Sequence, residues 1–275
     1  MPSDPGSVLP GTIVVTVPHM DDEIIGVGGI LASLPDPSRV HLVYATDGSR
    51  SPEPAKRGVS VDRRELARVR RSEALEGLRI LGVPPGQAHF LDLPDGGLDR
   101  LGSQLREGLV SHLDTIAPDV ILTPFRFDGH PDHLAVHRAV WDLHEVGAAP
   151  ARVLEYFVYT RWRLLRGTDI RTRIRPELLV NFPLSEEARR VKREALERHA
   201  TQTTRYFPWQ RRPNLTDAFL SRVCSEDEAL LAPDPGGRTE SPFTGGDRWI
   251  RVVHALEPRL KRVKDRAVAL LGGGR

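Results

Sequence analysis

Histidine and carboxylate side chains gather in two short segments of the 275-residue sequence. Pro18-His-Met-Asp-Asp-Glu23 directly follows an apolar run, and a later Asp-Gly-His-Pro-Asp-His segment ends at His133. Imidazole and carboxylate ligands without thiolates suit a borderline metal such as Zn²⁺, held by three protein ligands with one position open for water. The two segments therefore predict a catalytic zinc site.

The predicted zinc ligands are His19, Asp22 and His133. His19 and Asp22 are close enough in sequence to bind the same ion from one loop, so the third ligand must come from elsewhere. His133 is the best candidate because Pro131 suits the first turn of a helix and leaves this histidine near the helix N-terminus. His137, one helical turn further along, is a competing ligand.

Three neighbouring side chains are candidates for the remaining steps of a hydrolysis. Zinc lowers the pKa of its bound water to about 7, and a base must still remove a proton as this water attacks a carbonyl. Asp21, next to Asp22, fits the role of base. His130 is placed to supply a proton or a hydrogen bond to the oxyanion, and Asp132 to orient a neighbouring histidine.

The sequence around these residues alternates between strand and helix patterns. Runs of β-branched and apolar residues predict buried strands at Thr12–Val17, Val40–Ala45, Ala88–Leu91 and Asp119–Thr123. Helices are predicted over 21–32, 61–81 and 98–116, and from near Pro131. This alternation predicts the α/β class, with a Rossmann-like, mostly parallel sheet and helices on both faces. The active site of such a sheet lies at the carboxyl ends of the strands.

The pattern changes beyond Ala149. Strands are predicted at Leu154–Thr160 and Glu177–Phe182, and a helix at Ser185–Ala200 with Ser185 as its N-cap. We expect a single domain over residues 1–275, with a motif-bearing core at about 11–200 and a variable extension or cap at about 203–275. Two segments rich in proline, glycine and polar residues are predicted to be loops, Ser49–Val59 and Ala232–Asp247.

The pairing of Pro-His-Met-Asp-Asp-Glu with a downstream His-Pro-Asp-His resembles the PIG-L (LmbE-like) family of zinc-dependent N-acetylglucosaminyl deacetylases. The hallmark of that family is a PHxDDE motif followed by an HPDH motif. The resemblance extends from about Gly11 to Trp141. Met20 stands where the family usually has proline, a departure that removes no ligand.

This resemblance implies a zinc-dependent hydrolase that removes an N-acyl group, in particular acetyl, from a small molecule containing an amino sugar. It implies the same metal ligands and the same base and oxyanion partner, namely His19, Asp22, His133, Asp21 and His130. By the same resemblance, the residues that hold substrate hydroxyls are Arg70 and Asp95. The partner it implies is a small N-acylated sugar or glycoconjugate.

The composition argues against several other classes of protein. With 39 basic and 37 acidic residues the net charge is only +2, which argues against a nucleic-acid binder that relies on a broad positive field. Cys224 is the single cysteine, so neither an intrachain disulfide nor a thiolate zinc cluster can form. No run reaches the ~20 apolar residues needed to span a membrane, and Met1–Thr12 lacks a secretory pattern, so we expect a cytoplasmic protein.

Two other functions compete with hydrolysis. Gly26-Val-Gly-Gly29, with Asp47 beyond the second strand, superficially matches a dinucleotide fingerprint, but the glycines fall inside the predicted helix. Acidic residues that repel pyrophosphate occupy the turn before them, so we interpret the glycines as helix-packing positions. The other alternative is a non-catalytic zinc- or carbohydrate-binding protein, which needs neither a base at Asp21 nor an acid at His130.

Two segments near the C-terminus have open interpretations. Arg205–Arg212 is aromatic and basic, which is typical of a surface that stacks on sugar or meets an anionic group, and also of a packed lid. Arg259–Leu271 has amphipathic spacing, which favours a docked terminal helix or a contact in a homo-oligomer over a membrane anchor.

Overall fold

The structure is a computed structural model that describes residues 4–54, 59–161, 168–232 and 241–244, together with Arg248, Ile250, Val252, Val253 and Leu256. The predicted amphipathic segment Arg259–Leu271 lies outside the described residues. So do parts of the two predicted loops, at 55–58 and 233–240 and at 245–247.

The described residues form one seven-stranded sheet. Its strands are β1 (Ile13–Val17), β2 (Val40–Thr46), β3 (Ala88–Leu93), β4 (Val120–Pro124), β5 (Arg152–Tyr156), β6 (Leu179–Phe182) and β7 (Glu228–Leu231). The order across the sheet is β3-β2-β1-β4-β5-β7-β6. The first five strands are parallel, and β7 runs antiparallel to both β5 and β6. The predicted mostly parallel sheet is therefore confirmed.

Helices cover both faces of this sheet, as predicted. They are α1 (Pro5–Val8), α2 (Asp22–Ala32), α3 (Arg63–Ile80), α4 (Gly102–Ile116), α5 (Pro131–Glu145), α6 (Glu186–Glu197), α7 (Ala200–Thr203) and α8 (Asp217–Ser225). Side chains of α2, α3, α6 and α8 pack with Val15 in one core cluster, while those of α4 and α5 pack with Val14 in another. Among the described residues, no helix combines the length and apolar character needed to cross a membrane.

Local sequence signals explain where several helices begin and how closely they pack. Ser185 caps α6 by accepting the backbone N–H of Ala188 at 3.1 Å, as the sequence predicted. In α2, a β-carbon on Gly26 would collide with Tyr156, and one on Gly29 would collide with Leu184. These glycines therefore allow close packing of α2, which is the role that the sequence predicted for them.

The region after β5 departs from the predicted elements. β5 ends at Tyr156, four residues before the predicted end, because the chain leaves the sheet there. Neither α8 nor β7 was predicted from the sequence. Both belong to the core, since Leu220 and Leu230 lie in the same buried cluster as β1. The predicted single domain, with a core at about 11–200 and a variable extension or cap at about 203–275, stays a prediction. The structure places residues 217–231 within the sheet and the core on its α2 face.

Candidate metal centre

The loop after β1 brings Asp21 to the start of α2 in an unusual backbone conformation. Asp21 has φ 147° and ψ −22°, a region that non-glycine residues rarely occupy. Arg70 holds this loop, because its Nη2 donates to the Met20 carbonyl at 2.6 Å and its Nη1 to the Gly48 carbonyl at 3.1 Å. Strained backbone of this kind is concentrated at functional sites, where surrounding contacts maintain it.

Ligand-type atoms of His19, Asp22 and His133 form a small triangle at the carboxyl ends of the adjacent strands β1 and β4. Asp22 Oδ2 lies 3.0 Å from His19 Nδ1 and 3.1 Å from His133 Nε2, and the two nitrogens are 3.3 Å apart. All three side chains are buried. The structure thus brings together the three predicted ligands, although the two histidines are 114 positions apart in sequence.

This triangle has the size of one face of a tetrahedral zinc site. Zinc bonds of about 2.0–2.1 Å place two ligand atoms about 3.3 Å apart in tetrahedral geometry. The observed separations of 3.0, 3.1 and 3.3 Å fit that spacing. His19 also belongs to two wider sets of donor atoms within 4.8 Å of one another, one with His130 and His133 and one with Asp95 and Asp132. The three atoms of the triangle lie within 3.3 Å of one another, well inside this 4.8 Å limit. The triangle is therefore the set that best fits a single cation.

Carboxylates contact the second nitrogen of each histidine in the triangle. His19 Nε2 lies 3.2 Å from Asp132 Oδ2 and 3.4 Å from Asp95 Oδ1. His133 Nδ1 lies 3.1 Å from Asp128 Oδ1. Carboxylates in this position orient metal-binding imidazoles and leave the opposite nitrogen available as a ligand. The arrangement therefore presents His19 Nδ1 and His133 Nε2 toward Asp22.

Asp132 and Asp95 are themselves fixed by backbone groups from neighbouring loops. Asp132 accepts the backbone N–H of Gly96 at 2.8 Å and that of Leu98 at 3.0 Å. Asp95 accepts the backbone N–H of Arg50 at 2.9 Å. The loops that follow β2 and β3 are thereby tied to the triangle, and Asp95 lies at the rim of the site. The orienting role of Asp132 stays a prediction, and its contact with His19 Nε2 is the contact that this role requires.

Asp21 has the electrostatic environment of a general base. Burial raises the pKa of Asp21 to about 7, and the neighbouring negative charge of Asp22 adds to this rise. The positive charge of Arg70, whose Nη2 is 3.5 Å away, opposes it. A carboxylate with a pKa near neutrality can both accept and release a proton at physiological pH. Asp21 also donates its backbone N–H to Glu23 Oε2 at 3.2 Å, so the buried Glu23 supports the strained turn.

His130 lies beside both histidines of the triangle. Its ring centre is 4.7 Å from that of His19 and 5.0 Å from that of His133. As the N-cap of α5, His130 accepts the backbone N–H of Asp132 at Nδ1, at 3.3 Å. Burial and the charges of His19 and His133 lower the pKa of His130 to about 3. A neutral ring with Nδ1 engaged as an acceptor carries its proton on Nε2, which is a hydrogen-bond donor.

Other sequence candidates occupy different positions. Arg70 is only 1% exposed and uses its guanidinium to hold the β1 loop, so its contacts in this structure are with the protein itself. His137 lies 2.9 Å from the Pro124 carbonyl through Nδ1. Asp128 and Tyr159 were not predicted from the sequence. The ring of Tyr159 stacks on that of His133, with 5.6 Å between centres. The position of Asp128 just before the His-Pro-Asp-His motif was the one available signal for it.

One known protein family matches the part of the chain that carries this site. The family model PIG-L, described as GlcNAc-PI de-N-acetylase, matches residues 14–144. The chain contains a PIG-L domain. The match includes His19 in the loop after β1, Asp22 at the start of α2 and His133 near the start of α5. The PIG-L resemblance drawn from the two motifs is therefore confirmed.

Two curated relatives match part of the chain. Diacetylchitobiose deacetylase of Thermococcus kodakarensis is 35% identical over 121 residues, which is 42% of this chain and 42% of that protein. The 2'-N-acetylparomamine deacetylase of Streptomyces fradiae is 30% identical over 149 residues, or 47% of this chain and 51% of that protein. The chain thus spans about half the length of the curated relatives it matches.

A solved structure shares the wider fold of this chain. N,N'-diacetylchitobiose deacetylase from Pyrococcus horikoshii superposes with a TM-score of 0.54 at 22% identity, covering 74% of each chain. At this level of identity the likeness shows the fold alone.

Proposed function

We propose that this chain is a zinc-dependent hydrolase that removes an N-acyl group, in particular N-acetyl, from a small molecule containing an amino sugar. The observation that carries the proposal is the triangle of His19 Nδ1, Asp22 Oδ2 and His133 Nε2, with separations of 3.0 to 3.3 Å. Asp21 and His130 flank this triangle with the properties that amide hydrolysis requires.

His19, Asp22 and His133 would hold the zinc ion. When bound, zinc supplies a Lewis acid for the acyl oxygen and lowers the pKa of water toward about 7. The carboxylates that contact the outer nitrogens of both histidines, Asp132 and Asp128, would keep the rings in the ligating orientation.

Asp21 would take up the proton of the attacking water. Its raised pKa of about 7 makes it a stronger base than an ordinary aspartate, and its burial keeps bulk water from competing for that proton. The contact with Arg70, 3.5 Å away, would fix the carboxylate while the proton is transferred. As the carbon–nitrogen bond breaks, the same carboxyl group would give the proton to the nitrogen, so that the leaving group departs as a neutral amine.

His130 would stabilise the negative charge that develops on the acyl oxygen. Its neutral ring carries a proton on Nε2, because Nδ1 accepts the Asp132 backbone N–H. In this state His130 would donate a hydrogen bond to the acyl oxygen. Because the ring is already fixed in place, it need not reorganise as the charge develops. Asp95, 8% exposed at the rim, is the side chain we propose for a substrate hydroxyl, and Arg70 would act on the substrate through the loop it holds.

The relatives support the substrate class. Their names refer to diacetylchitobiose and to 2'-N-acetylparomamine, both of which carry an acetylated amino sugar. We therefore propose an N-acetylated amino sugar or glycoconjugate as the substrate of this chain. The loops that reach the rim, around Arg50 and Asp95, would select among such molecules.

Acetate release tests the proposal. The zinc-loaded chain, a chelator-treated sample and the Asp21→Asn variant are each incubated with N,N'-diacetylchitobiose and with 2'-N-acetylparomamine, and free acetate and bound zinc are measured. We expect activity that chelation abolishes and zinc restores. Asp21→Asn should keep its zinc and lose about 10²- to 10⁴-fold in turnover.

A matched control and two ligand variants complete the experiment. Asp99→Asn changes an exposed aspartate outside the site and should leave turnover intact. Asp22→Ala and His133→Ala should lose both activity and the zinc ion held at the triangle. Full activity in Asp21→Asn would refute its role as base, and a chain that binds zinc but releases no acid from any N-acylated sugar would favour the binding-protein alternative.

A further inference from the structure

Three histidines meet at the end of the sheet opposite the metal centre. His41 is the second residue of β2, His89 is the second residue of β3, and His112 lies on α4. The triangle lies at the carboxyl ends of the strands, whereas His41 and His89 lie near the amino ends. At about 3.3 Å per residue, the stretch of β2 from His41 to Thr46 alone spans about 16 Å.

The register of the elements brings the three rings to the same face of the sheet. His89 pairs with Val43 across β2 and β3, and Val43 packs in the core beneath α4 and α5. Gly108 of α4 lies against Leu91, since a β-carbon there would approach Leu91 Cδ1 to 2.9 Å. His112 lies four residues after Gly108, which is about 6 Å along the helix. His89 lies two residues before Leu91, which is about 6.6 Å along the strand. The helix therefore carries His112 over His89.

The rings are in direct contact. His41 Nδ1 lies 3.2 Å from His89 Nε2, and the two rings stack at 5.5 Å with an interplanar angle of 15°. The ring of His112 is 4.9 Å from that of His89, at an angle of 42°. All three side chains are half-buried, so a small solute can reach them, and all three are held by strands and a helix of the core.

The spacing and the protonation state suit a metal cation. Tetrahedral zinc with two imidazole ligands places their nitrogens about 3.3 Å apart, close to the observed separation of His41 Nδ1 and His89 Nε2. Burial lowers the pKa of His41, and burial together with the charges of His112 and His41 lowers that of His89. Neutral imidazole is the form that binds a metal.

We propose that His41, His89 and His112 form a second metal site, separate from the deacetylase centre, for a divalent transition cation of the zinc type. His41 Nδ1 and His89 Nε2 are its first two ligands, and His112 is the third after rotation of its ring toward them. Such a cation would join β2, β3 and α4 at the edge of the sheet. This assignment stands independently of the proposed deacetylase activity.

Zinc binding to a chain without the first site tests the proposal. The double variant His19→Gln/His133→Ala removes two ligands of the triangle, and with His19 it removes the histidine that both wider donor sets share. Isothermal titration with ZnCl₂ then reports the remaining sites. We expect one zinc ion to bind this background. Adding His89→Gln should abolish that binding, and adding His112→Gln should weaken it at least about tenfold. Thermal unfolding should shift upward with zinc in the background and not in the His89→Gln chain.

His144→Gln in the same background is the matched control. His144 is a half-buried histidine on the same face whose Nδ1 lies 2.8 Å from the Ala149 carbonyl, so its replacement should leave zinc binding unchanged. Imidazole ¹⁵N signals of the unmutated chain keep the test decisive if a variant does not fold. Zinc beyond the first equivalent should move the signals of His41 and His89 and leave that of His144 in place. Absence of zinc binding in a folded background, or equal binding with His89→Gln, overturns the proposal.

Discussion

Lys192 and Glu228 form a buried ion pair, with 2.7 Å between Nζ and Oε1 and side chains that are 1% and 4% exposed. Lys192 also donates to the Ile25 carbonyl at 2.9 Å. Glu228 accepts the backbone N–H groups of Gly29 at 2.8 Å and Ile30 at 2.7 Å. The pair therefore ties α6 and β7 to the middle of α2, the helix whose first turn carries a proposed zinc ligand.

Removing one member of this pair should destabilise the fold. Lys192→Met leaves the Glu228 carboxylate buried without its counter-ion, and such a loss costs about 3–5 kcal/mol of unfolding free energy. Urea denaturation measures the change. The double variant Lys192→Met/Glu228→Gln should recover part of the loss, because it no longer buries an uncompensated charge.

Arg190→Met is the control on the same helix. Arg190 is exposed and pairs with Glu187 at the surface, so its replacement should leave the unfolding free energy almost unchanged. If Lys192→Met unfolds at the same urea concentration as the Arg190 variant, the buried pair does not stabilise α2 as we infer.

The packing of α2 predicts a strong effect at Gly26. A β-carbon at this position would collide with the ring of Tyr156, which is itself fixed by its hydroxyl donating to the Thr16 carbonyl at 2.9 Å. Gly26→Ala should therefore cost about 1–3 kcal/mol through overpacking, measured by chemical denaturation. Gly86→Ala, where nothing lies within 4 Å of the added carbon, should be close to neutral. Equal stability of the two variants would contradict the packing shown here.

Asp128 should tune the affinity of the metal centre without being a ligand. It lies 3.1 Å from His133 Nδ1 and is almost fully buried. Asp128→Asn keeps the shape but removes the charge that holds the ring, and losses of about 10- to 100-fold in metal affinity are typical of such changes. Competition with a chromophoric chelator measures the affinity, with the exposed Asp99→Asn as control. Unchanged affinity in Asp128→Asn would remove Asp128 from the site.

Zinc affinity should rise with pH because protons compete for the ligands. Burial alone would lower the pKa of His133, but Asp128 and Asp22 raise it to about 9 in the metal-free chain. Below that pH, zinc must displace the proton from His133, so affinity should increase at least about tenfold per pH unit from about pH 6 to about pH 8. Chelator competition across this range checks the sign. A flat profile would show that the histidines are already neutral.

The parallel half of the fold and the triangle could be predicted from sequence because their signals are local. Thr12–Val17 is a continuous β-branched run, which only a strand buried on both faces tolerates, and His19 and Asp22 follow it at once. His133 follows a second such strand. Because β1 and β4 are adjacent and parallel, the segments that follow them meet at one edge of the sheet. The motifs and the sheet topology therefore both place His133 close to His19 and Asp22.

The remaining elements depend on partners that are distant in sequence. β7 begins with a glutamate that a short sequence window assigns to the surface, and its burial is explained only by Lys192 and the backbone of α2. Phe157 to Thr160 has the composition of a strand, but these residues leave the sheet and bring Tyr159 over His133. Asp128 was missed for the same reason, since its role depends on which ring nitrogen it contacts.

The position of β7 within the sheet determines when the fold can be completed during synthesis. β7 emerges from the ribosome after every other strand described here, yet it lies between β5 and β6 rather than at an edge. Until Glu228 has been translated, Lys192 has no carboxylate to meet in the interior and β5 has an open edge. A nascent chain stopped before this strand would therefore contain His19, Asp22 and His133 without the interior that holds α2 in place. We expect such a chain to need a holding chaperone until the strand arrives.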